Sequence, residues 1–315
     1  MLRIFFASDV HGSEVCFRKF INAGKAYKAN VLILGGDITG KMIIPVLRQE
    51  PVTYTADFSS RTWTIRNKEE LENFMKMVRN SGYYPYLTSE LELTELSADR
   101  NKVNKLFSEL MLETVRRWVK IAEERLRGTG IGCYVTPGND DRFIIDDALS
   151  QSDYIVNPEG KVVSIVGAYE MISTGFSNIT PWKTQRELSE GELEKKIENM
   201  ASNVKNMETC IFNLHCPPFD TLIDRAPQLD ETLKVVTKSG EKVIIPVGSV
   251  AARNAIRKYQ PLLGLHGHIH ESRGVEKLGR TLCLNPGSEY NEGILRGVII
   301  NLENGAVKNY LFTSG

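Results

Sequence analysis

Clusters of Asp, Asn and His side chains follow short apolar segments at widely separated points of this sequence. Each apolar segment has the length and composition of a buried strand, and it ends where the polar cluster begins. All five histidines of the chain belong to these clusters. Because the carboxyl ends of neighbouring strands meet at one edge of an α/β sheet, we expect the clusters to converge in space. The clusters are Asp9/His11, Asp37, Asn139/Asp140, His215 and His266/His268/His270.

The first forty residues predict a β-α-β unit. The apolar segment 2–8 is typical of a strand, and Val31–Leu34 is typical of a second buried strand. Between them, Ser13 can cap a helix that runs to about Lys28. Two strands joined by a helix are usually parallel neighbours, so the sequence predicts an α/β fold that contains a parallel sheet.

The clustered side chains suit a metal site with nitrogen and oxygen ligands. Zinc, manganese and iron accept carboxylates, imidazoles and amides, and there are enough of these for two ions that share one carboxylate. Two such ions can hold the attacking and leaving oxygens of a phosphoryl group. The five cysteines never form a CxxC pair, which argues against a zinc ribbon or a disulfide framework. Cys216, beside His215, is predicted to be an ordinary thiol.

Five of these motifs, in their order along the chain, resemble the ordered motifs of the calcineurin-like metallophosphoesterases. The motifs are Asp9-Val10-His11-Gly12, Gly36-Asp37, Gly138-Asn139, His215 and Gly267-His268-Ile269-His270. The segment Asn285-Pro286-Gly287-Ser288 is also similar to one common in small bacterial and archaeal members. The resemblance covers residues 1 to about 290. It implies an α/β fold in which two mixed β-sheets pack as a sandwich flanked by helices, within a single domain of residues 1–315.

The resemblance also implies a dinuclear metal centre and a role for each ligand. Two divalent ions would share the Asp37 carboxylate, and a hydroxide that bridges them would attack phosphorus in line. Manganese is the favoured metal, with iron, zinc and nickel as alternatives. The ligands of one ion would be Asp9, His11 and His270, and those of the other Asn139, His215 and His268. The expected substrate is a small phosphate ester or a nucleotide.

Position 140 departs from the family pattern. The family has Gly-Asn-His where this chain has Gly138-Asn139-Asp140, and that histidine normally contacts the substrate phosphate and assists the leaving group. A carboxylate repels phosphate unless it is protonated or acts through water, and nearby metal ions favour its ionised form. We therefore predict a preference for phosphodiesters over phosphomonoesters, with Asp140 as a candidate catalytic residue. His266 is the other catalytic candidate, although its spacing from His268 also fits a supporting role outside the ligand set.

An insertion follows the second predicted strand. About 100 residues separate Asp37 from Asn139, whereas a crossover helix with its turns needs about 30. We expect the excess, residues 48–110, to form an inserted helical and hairpin subdomain near the Asp37 edge of the crevice. Its many aromatic residues fit two roles equally well. The insertion is either a cap over the site or a packed subdomain that serves as a homo-oligomer interface.

Charge and hydropathy limit the function classes. Lys and Arg together number 39, as do Asp and Glu, so a nucleic-acid partner is not favoured. No apolar segment approaches the ~18 residues that span a bilayer. The N-terminus lacks a signal-peptide core, so we expect a cytoplasmic protein without a membrane partner. Two alternatives to the phosphodiesterase stay open: a nuclease of the same chemistry, and a catalytically weak metal-binding scaffold.

Overall fold

The computed structural model describes all 315 residues. The helices are α1 (Glu14–Ala26), α2 (Lys68–Asn80), α3 (Glu90–Ala98), α4 (Arg100–Leu126), α5 (Ile145–Ser150), α6 (Glu190–Ala201) and α7 (Val250–Tyr259). None of them is both long enough and apolar enough to cross a membrane. The strands are β1 (Leu2–Ala7), β2 (Val31–Leu34), β3 (Ile43–Glu50), β4 (Thr53–Phe58), β5 (Arg61–Ile65), β6 (Tyr84–Thr88), β7 (Gly132–Val135), β8 (Ile155–Val156), β9 (Val162–Ser164), β10 (Glu170–Thr174), β11 (Ser177–Asn178), β12 (Glu187–Leu188), β13 (Ile211–Leu214), β14 (Arg225–Pro227), β15 (Thr237–Lys238), β16 (Glu241–Lys242), β17 (Ile244–Pro246), β18 (Leu263–Leu265), β19 (Gly274–Leu278), β20 (Thr281–Asn285), β21 (Arg296–Glu303) and β22 (Ala306–Ser314).

Six strands form sheet I, in the order β22-β21-β1-β2-β7-β8. The strands β1, β2, β7 and β8 are parallel neighbours, as the β-α-β pattern predicts. The C-terminal strands β21 and β22 are antiparallel and extend the sheet beyond β1. In register, Ile4 of β1 pairs with Val31 on one side and with Ile300 on the other. Sheet I is therefore mixed.

Sheet II has the order β19-β20-β18-β13-β10-β9. Its four central strands are parallel, and an antiparallel strand closes each edge. Four smaller two- and four-stranded sheets complete the chain. Both sheets thus combine four parallel strands with two antiparallel ones, which lie on one side of sheet I and at the two edges of sheet II.

Sheets I and II pack face to face. Because side chains alternate between the faces of a strand, Phe6 of β1 lies in the core shared with sheet II, while its neighbour Phe5 packs with Phe17 of α1. Ile33 of sheet I and Ile211 of sheet II are fully buried in the shared core. Helices α1 and α4 cover the outer face of sheet I, and α6 and α7 cover that of sheet II. The predicted sandwich of two mixed sheets flanked by helices is confirmed.

A four-stranded sheet, in the order β5-β4-β3-β6, lies in the chain between β2 and β7. It has its own apolar core, to which α2 contributes Leu71, Phe74 and Val78. The sequence predicts strands at residues 52–56 and 61–65 and a helix at residues 68–78, and the structure has these as β4, β5 and α2. The strands β3 and β6 escape prediction. Both contain a proline, Pro45 and Pro85, and proline within an apolar segment disfavours a strand assignment. The domain limits and the cap or interface role of residues 48–110 stay predictions.

Every predicted metal ligand lies just beyond the carboxyl end of a parallel strand. Sheet I supplies the loops after β1, β2 and β7, and sheet II supplies the loops after β13 and β18. The sandwich brings these loops together at one edge, where side chains from both sheets meet. The ligands follow their strands in the order Asp9 and His11 after β1, Asp37 after β2, Asn139 after β7, His215 after β13, and His268 and His270 after β18.

Candidate metal centre

Three overlapping groups of side chains at this edge could each hold a metal ion. Within each group the potential ligand atoms all lie within 4.8 Å of one another. Six of the seven residues predicted as metal ligands belong to the groups, and the seventh, Asn139, directly precedes a member. The groups are Asp9/His11/His270, Asp37/His215/His268 and His11/Asp37/Asp140.

The Asp37 carboxylate lies between the first two groups. Its Oδ2 atom is 3.7 Å from Nε2 of His11 and 3.5 Å from Nε2 of His215. Asp9 is placed similarly, with Oδ1 at 3.5 Å from Nε2 of His270 and 3.8 Å from Nε2 of His215. One oxygen of Asp37 thus faces an imidazole of each group, which is the arrangement that a bridging carboxylate requires.

Among the predicted ligands, three buried atoms have no hydrogen-bond partner within the protein, one of them Nδ1 of His11. His215 Nδ1 lies 3.0 Å from the carbonyl oxygen of Gly35, which can only accept, so Nδ1 carries a hydrogen and the neutral imidazole can offer the lone pair of Nε2 to a metal. That Nε2 is unpartnered, and so is Oδ1 of Asn139, whose amide nitrogen donates to Oγ1 of Thr184. Buried acceptors are rarely left unsatisfied, and an imidazole fixed through its other nitrogen is typical of metal ligands. The residues therefore fit a metal.

The backbone of the centre adopts conformations that most residues avoid. Four of the ligand residues have positive φ: Asp9 at 55°, His11 at 38°, Asp37 at 49° and His268 at 66°. Each such conformation costs roughly 1 kcal/mol or more and persists only where the surroundings enforce it. Backbone hydrogen bonds between the loops do so, since the Asp9 and His11 amides donate to the carbonyls of residues 36 and 37. Strain concentrated on adjacent loops is common at functional sites.

Gly36 shows how closely the loops approach each other. A Cβ atom added there would lie 2.3 Å from Nδ1 of His215, and the residue itself has a φ of 128°. Any larger residue would displace the imidazole, and few could adopt the backbone conformation. The glycine before Asp37 therefore makes room for a ligand contributed by the opposite sheet.

Asp141 joins the loops after β2 and β7. Its Oδ2 accepts hydrogen bonds from the amides of Ile38 and Gly138, and its Oδ1 accepts from the amide and hydroxyl of Thr39. The carboxyl is fully buried, and burial together with the nearby Asp37 charge raises its pKa to about 6. It holds the loops of two sheet I strands in one arrangement, as expected of a supporting carboxylate.

The buried charges of the centre act strongly on one another. Burial lowers the pKa of His215, but the Asp37 carboxylate outweighs this and raises it to about 9. Burial dominates at His268 and lowers its pKa to about 4. Around Asp9, the neighbouring His270 and His215 outweigh burial and hold the carboxyl pKa below its usual range. The carboxylates thus favour positive charge at their centre, whether a proton or a metal ion supplies it.

His266, a predicted catalytic candidate, lies outside all three groups. Its Nδ1 lies 2.8 Å from the carbonyl oxygen of Leu214 and 3.1 Å from that of Cys216. Its Nε2 lies beside Gly264 of β18, where an added Cβ would be 2.7 Å away. Bonds to the residues on both sides of His215 position that ligand's backbone. This geometry supports a role for His266 in positioning His215 from outside the ligand set. It gives no support to a catalytic role.

Asp140, the other catalytic candidate, lies at the rim of the centre. Its backbone amide donates to Oδ1 of Asp37 at 2.9 Å, and its side chain is 27% exposed. Its Oδ2 is 3.9 Å from Nδ1 of His11 and 2.9 Å from Nζ of Lys41. Burial and the Asp37 charge raise the pKa of Asp140, while Lys41 opposes that shift. The structure thus places Asp140 beside the predicted ligands.

Two residues near the centre are missed by the sequence analysis. Lys41 follows Asp37 by four positions in a loop without periodicity, so only its closeness to a predicted ligand could have drawn attention to it. Tyr290 is distant in sequence, and its ring centroid lies 4.7 Å from that of His11. It follows the segment Asn285-Pro286-Gly287-Ser288, where Ser288 donates to the carbonyl oxygen of Asp9 at 2.6 Å.

A cavity of about 530 Å³ lies on the four-stranded sheet. Its apolar lining includes Met42, directly after Lys41, together with Phe58 and Tyr83. Its polar lining comes from the turn that joins β4 to β5, with Arg61 stacked over Trp63 at 4.0 Å. The inserted segment therefore has a concave surface of its own, which Met42 links along the chain to Lys41.

Comparison with known proteins agrees with this fold and leaves the activity open. No family model matches the sequence. An uncharacterized protein of Methanocaldococcus jannaschii, MJ1162, is 33% identical over 150 residues, which is 48% of this chain. The match spans 61% of that relative, less than two thirds of its length.

Solved structures match over nearly the whole chain. One has a TM-score of 0.60 and 16% identity, and the alignment covers 99% of this chain and 98% of the other. The protein TT1561 of Thermus thermophilus has a TM-score of 0.55 and 13% identity, with coverage of 100% and 98%. At this identity the likeness concerns the fold alone. The chain is thus an α/β sandwich of established type that carries a candidate metal centre.

Proposed function

We propose that the protein is a dinuclear metal-dependent phosphoesterase that hydrolyses a phosphodiester or nucleotide-type substrate. One observation carries this proposal: Oδ2 of Asp37 lies 3.7 Å from His11 and 3.5 Å from His215, and each histidine belongs to a separate potential ligand group. A shared carboxylate between two nitrogen-rich groups suits two ions held close together. The resemblance of the ordered motifs to calcineurin-like metallophosphoesterases supports the same function.

The donor atoms determine which ions fit. Asp9, His11 and His270 would hold one ion, and Asn139, His215 and His268 the other, with Asp37 shared. The set contains no thiolate, which suits manganese and iron and also allows zinc or nickel. When bound, such ions polarise phosphoryl oxygens and lower the pKa of a bound water to about 7. We favour manganese because the set includes carboxylate and amide oxygens, which suit that ion.

The protein side chains determine how a substrate reaches the centre. Asp9, His11 and His215 are almost fully buried, so they exclude bulk water from one side of the centre. His270 and Asp140 are about three-tenths exposed and mark the open side. The cavity on the inserted sheet begins at Met42, next to Lys41 in sequence, and has room for the organic group of an ester or nucleotide. This arrangement favours the cap role of the insertion over the interface role.

The rim of the centre favours diesters over monoesters. A phosphomonoester is largely a dianion at pH 7 and a diester is a monoanion, and the ion pair of Asp140 with Lys41 gives the rim no net positive charge to favour the dianion. The centre also lacks the family histidine that would assist a poor leaving group. Diesters with good leaving groups therefore suit this site better.

The test compares bis-p-nitrophenyl phosphate with p-nitrophenyl phosphate, using metal-stripped and Mn²⁺-loaded protein with the bound metal counted. We expect two ions per chain, turnover only in the loaded protein, and a higher kcat/KM for the diester. Absence of turnover with two bound ions, repeated with iron, zinc and nickel, would favour the scaffold. Salt-dependent binding of DNA or RNA, followed by cleavage, would favour the nuclease.

A further inference from the structure

A lysine at the rim of the centre pairs with Asp140, the residue that stands where the family pattern has a histidine. Lys41 Nζ lies 2.9 Å from Oδ2 of Asp140, and that same oxygen is 3.9 Å from Nδ1 of His11. The lysine side chain is 44% exposed, so its ammonium group borders both the centre and solvent. Among the lysines and arginines of the chain, Lys41 alone forms an ion pair with a carboxylate of the three ligand groups.

The loop that carries Lys41 is fixed from two sides. The amide of Gly40 donates to the hydroxyl of Tyr84 at 2.7 Å, which ties the loop to β6 of the inserted sheet. The amide of Thr39 donates to Asp141 at 2.9 Å, which ties it to the loop after β7. Because these bonds hold the backbone before Lys41, the position of its Cα atom is defined. The pair with Asp140 then fixes the position of its ammonium group.

An ordinary surface ion pair does not account for this arrangement. Exposed pairs contribute about 0–1 kcal/mol to stability, and this pair adds a carboxylate to a centre that already contains Asp9 and Asp37. The lysine compensates the added charge and leaves an ammonium group beside the open side. An ammonium group with free donors is suited to contact phosphate oxygens.

We infer that Lys41 contacts the non-bridging oxygens of the substrate phosphoryl group and that Asp140 positions Lys41 for this contact. The inference rests on the proposed phosphoesterase function and adds a substrate-binding residue to it. It also gives a physical reason for the aspartate at position 140. The carboxylate acts on the substrate through the lysine it holds.

The first experiment measures binding of inorganic phosphate to Mn²⁺-loaded protein by calorimetry. Lys41→Met removes the charge with similar side-chain bulk, and Lys41→Arg keeps it. The matched control is Lys308→Met, because Lys308 forms a 2.7 Å pair with Glu303 at the far end of sheet I. We expect Lys41→Met to weaken phosphate binding at least tenfold, or about 1.4 kcal/mol. Lys41→Arg should lose less, and the control should match wild type.

The second experiment tests the positioning role of Asp140 in a double-mutant cycle. Asp140→Asn alone should lower kcat for the diester about tenfold and weaken phosphate binding less than Lys41→Met does, because it also removes a repulsive charge. In the Lys41→Met background the same substitution should change kcat less than twofold, since the lysine it positions is gone. Bound metal should stay at the wild-type count in all variants.

Each contrary result has a definite meaning. Unchanged phosphate affinity in Lys41→Met, or phosphate binding too weak to measure in loaded wild type, would overturn the lysine contact. Equal kcat losses from Asp140→Asn in both backgrounds, or loss of an ion in that variant, would overturn the positioning role. Phosphate binding that depends on Lys41 but comes with no turnover of either ester would contradict the proposed function and leave the lysine contact standing.

Discussion

At the scale of single residues, Asp37 contacts both a neighbouring loop and two of the predicted histidine ligands. Its two oxygens have separate tasks: Oδ1 accepts the amide of Asp140, and Oδ2 faces His11 and His215. In Asp37→Asn the amide oxygen can still accept the hydrogen bond from Asp140. An NH₂ group, however, takes the place of Oδ2. The substitution should therefore weaken metal binding and leave the conformation of the loop unchanged.

We expect Asp37→Asn to lose at least one of the two bound ions and to lower metal-dependent kcat by about 1,000-fold or more, a change of roughly 4 kcal/mol in the barrier. Metal analysis and diester hydrolysis measure the two effects, and circular dichroism checks folding. Asp153→Asn is the control, since that carboxylate is exposed and pairs only with Arg127. A folded variant that hydrolyses the diester at the wild-type rate would remove the basis for a bridging carboxylate.

His266 allows a structural role to be separated from a catalytic one. Its ring bonds the carbonyls of Leu214 and Cys216, and burial lowers its pKa to about 4, so it is neutral at pH 7. His266→Leu leaves these carbonyls without a donor and should lower the free energy of unfolding by about 1–3 kcal/mol. Gln can still donate, so His266→Gln should lose less. Urea unfolding of the metal-free protein measures both.

The pH profile of kcat/KM distinguishes the two roles of His266. A positioning residue that stays neutral adds no ionisation to catalysis, so His266→Gln should keep the shape of the wild-type profile. If His266→Gln had wild-type stability but its kcat/KM no longer changed with pH on one side of the profile, His266 would be a catalytic acid or base.

The sequence predicts ligands better than it predicts their supports. Asp9, His215 and their partners could be identified because each follows a recognisable strand and belongs to an ordered set of motifs. Lys41 and Tyr290 could not, because their relevance depends on how separate loops fold against one another. Lys41 reaches the centre only because Tyr84 and Asp141 hold its loop.

At the scale of elements, the site depends on loops joined across strands. Asp141 accepts on both oxygens: Oδ2 accepts amides from the loops after β2 and β7, and Oδ1 accepts the amide of Thr39. Replacing either oxygen by an NH₂ group would set a donor against a donor. Asp141→Asn should therefore destabilise the protein by about 2–5 kcal/mol, in the range for breaking a buried charged network. It should also weaken metal binding, although Asp141 belongs to none of the three ligand groups.

Asp224 provides a matched control for Asp141. It is equally buried and accepts amides of Asp220, Thr221 and Gly248, in a loop network apart from the ligand groups. Asp224→Asn should also destabilise the protein and leave Mn²⁺ affinity unchanged. Thermal unfolding and Mn²⁺ titration of both variants test this. Equal losses of metal affinity would mean that global destabilisation, rather than the loop arrangement, explains the Asp141 effect.

Elements with clear periodicity were predictable, and those defined by tertiary pairing were not. Helix α2 and strand β5 match their predicted bounds closely, since each has a regular apolar pattern. Strands β3 and β6 pair in parallel with prolines at neighbouring positions, and Ile44 lies opposite Pro85. Because proline disfavours a strand assignment, local sequence alone does not predict this pairing.

At the scale of the whole molecule, the centre joins the two halves of the sandwich. Sheet I supplies Asp9, His11 and Asp37, while sheet II supplies His215 and the pair His268/His270. These two sets of ligands lie at least 178 residues apart in sequence. Unfolding of either sheet would therefore separate the ligands, so the folded state alone can bind two ions with this set.

Mn²⁺ should accordingly stabilise the protein against global unfolding. At a free concentration 100 times the dissociation constant, binding adds about 2.7 kcal/mol. For a chain of this size that corresponds to a rise in Tm of about 5 °C, which differential scanning calorimetry can measure. Asp37→Asn should show a clearly smaller rise, because its two groups no longer share a carboxylate. An equal rise in wild type and Asp37→Asn would mean that the stabilising ion binds elsewhere, and the link between the two sheets through this centre would be wrong.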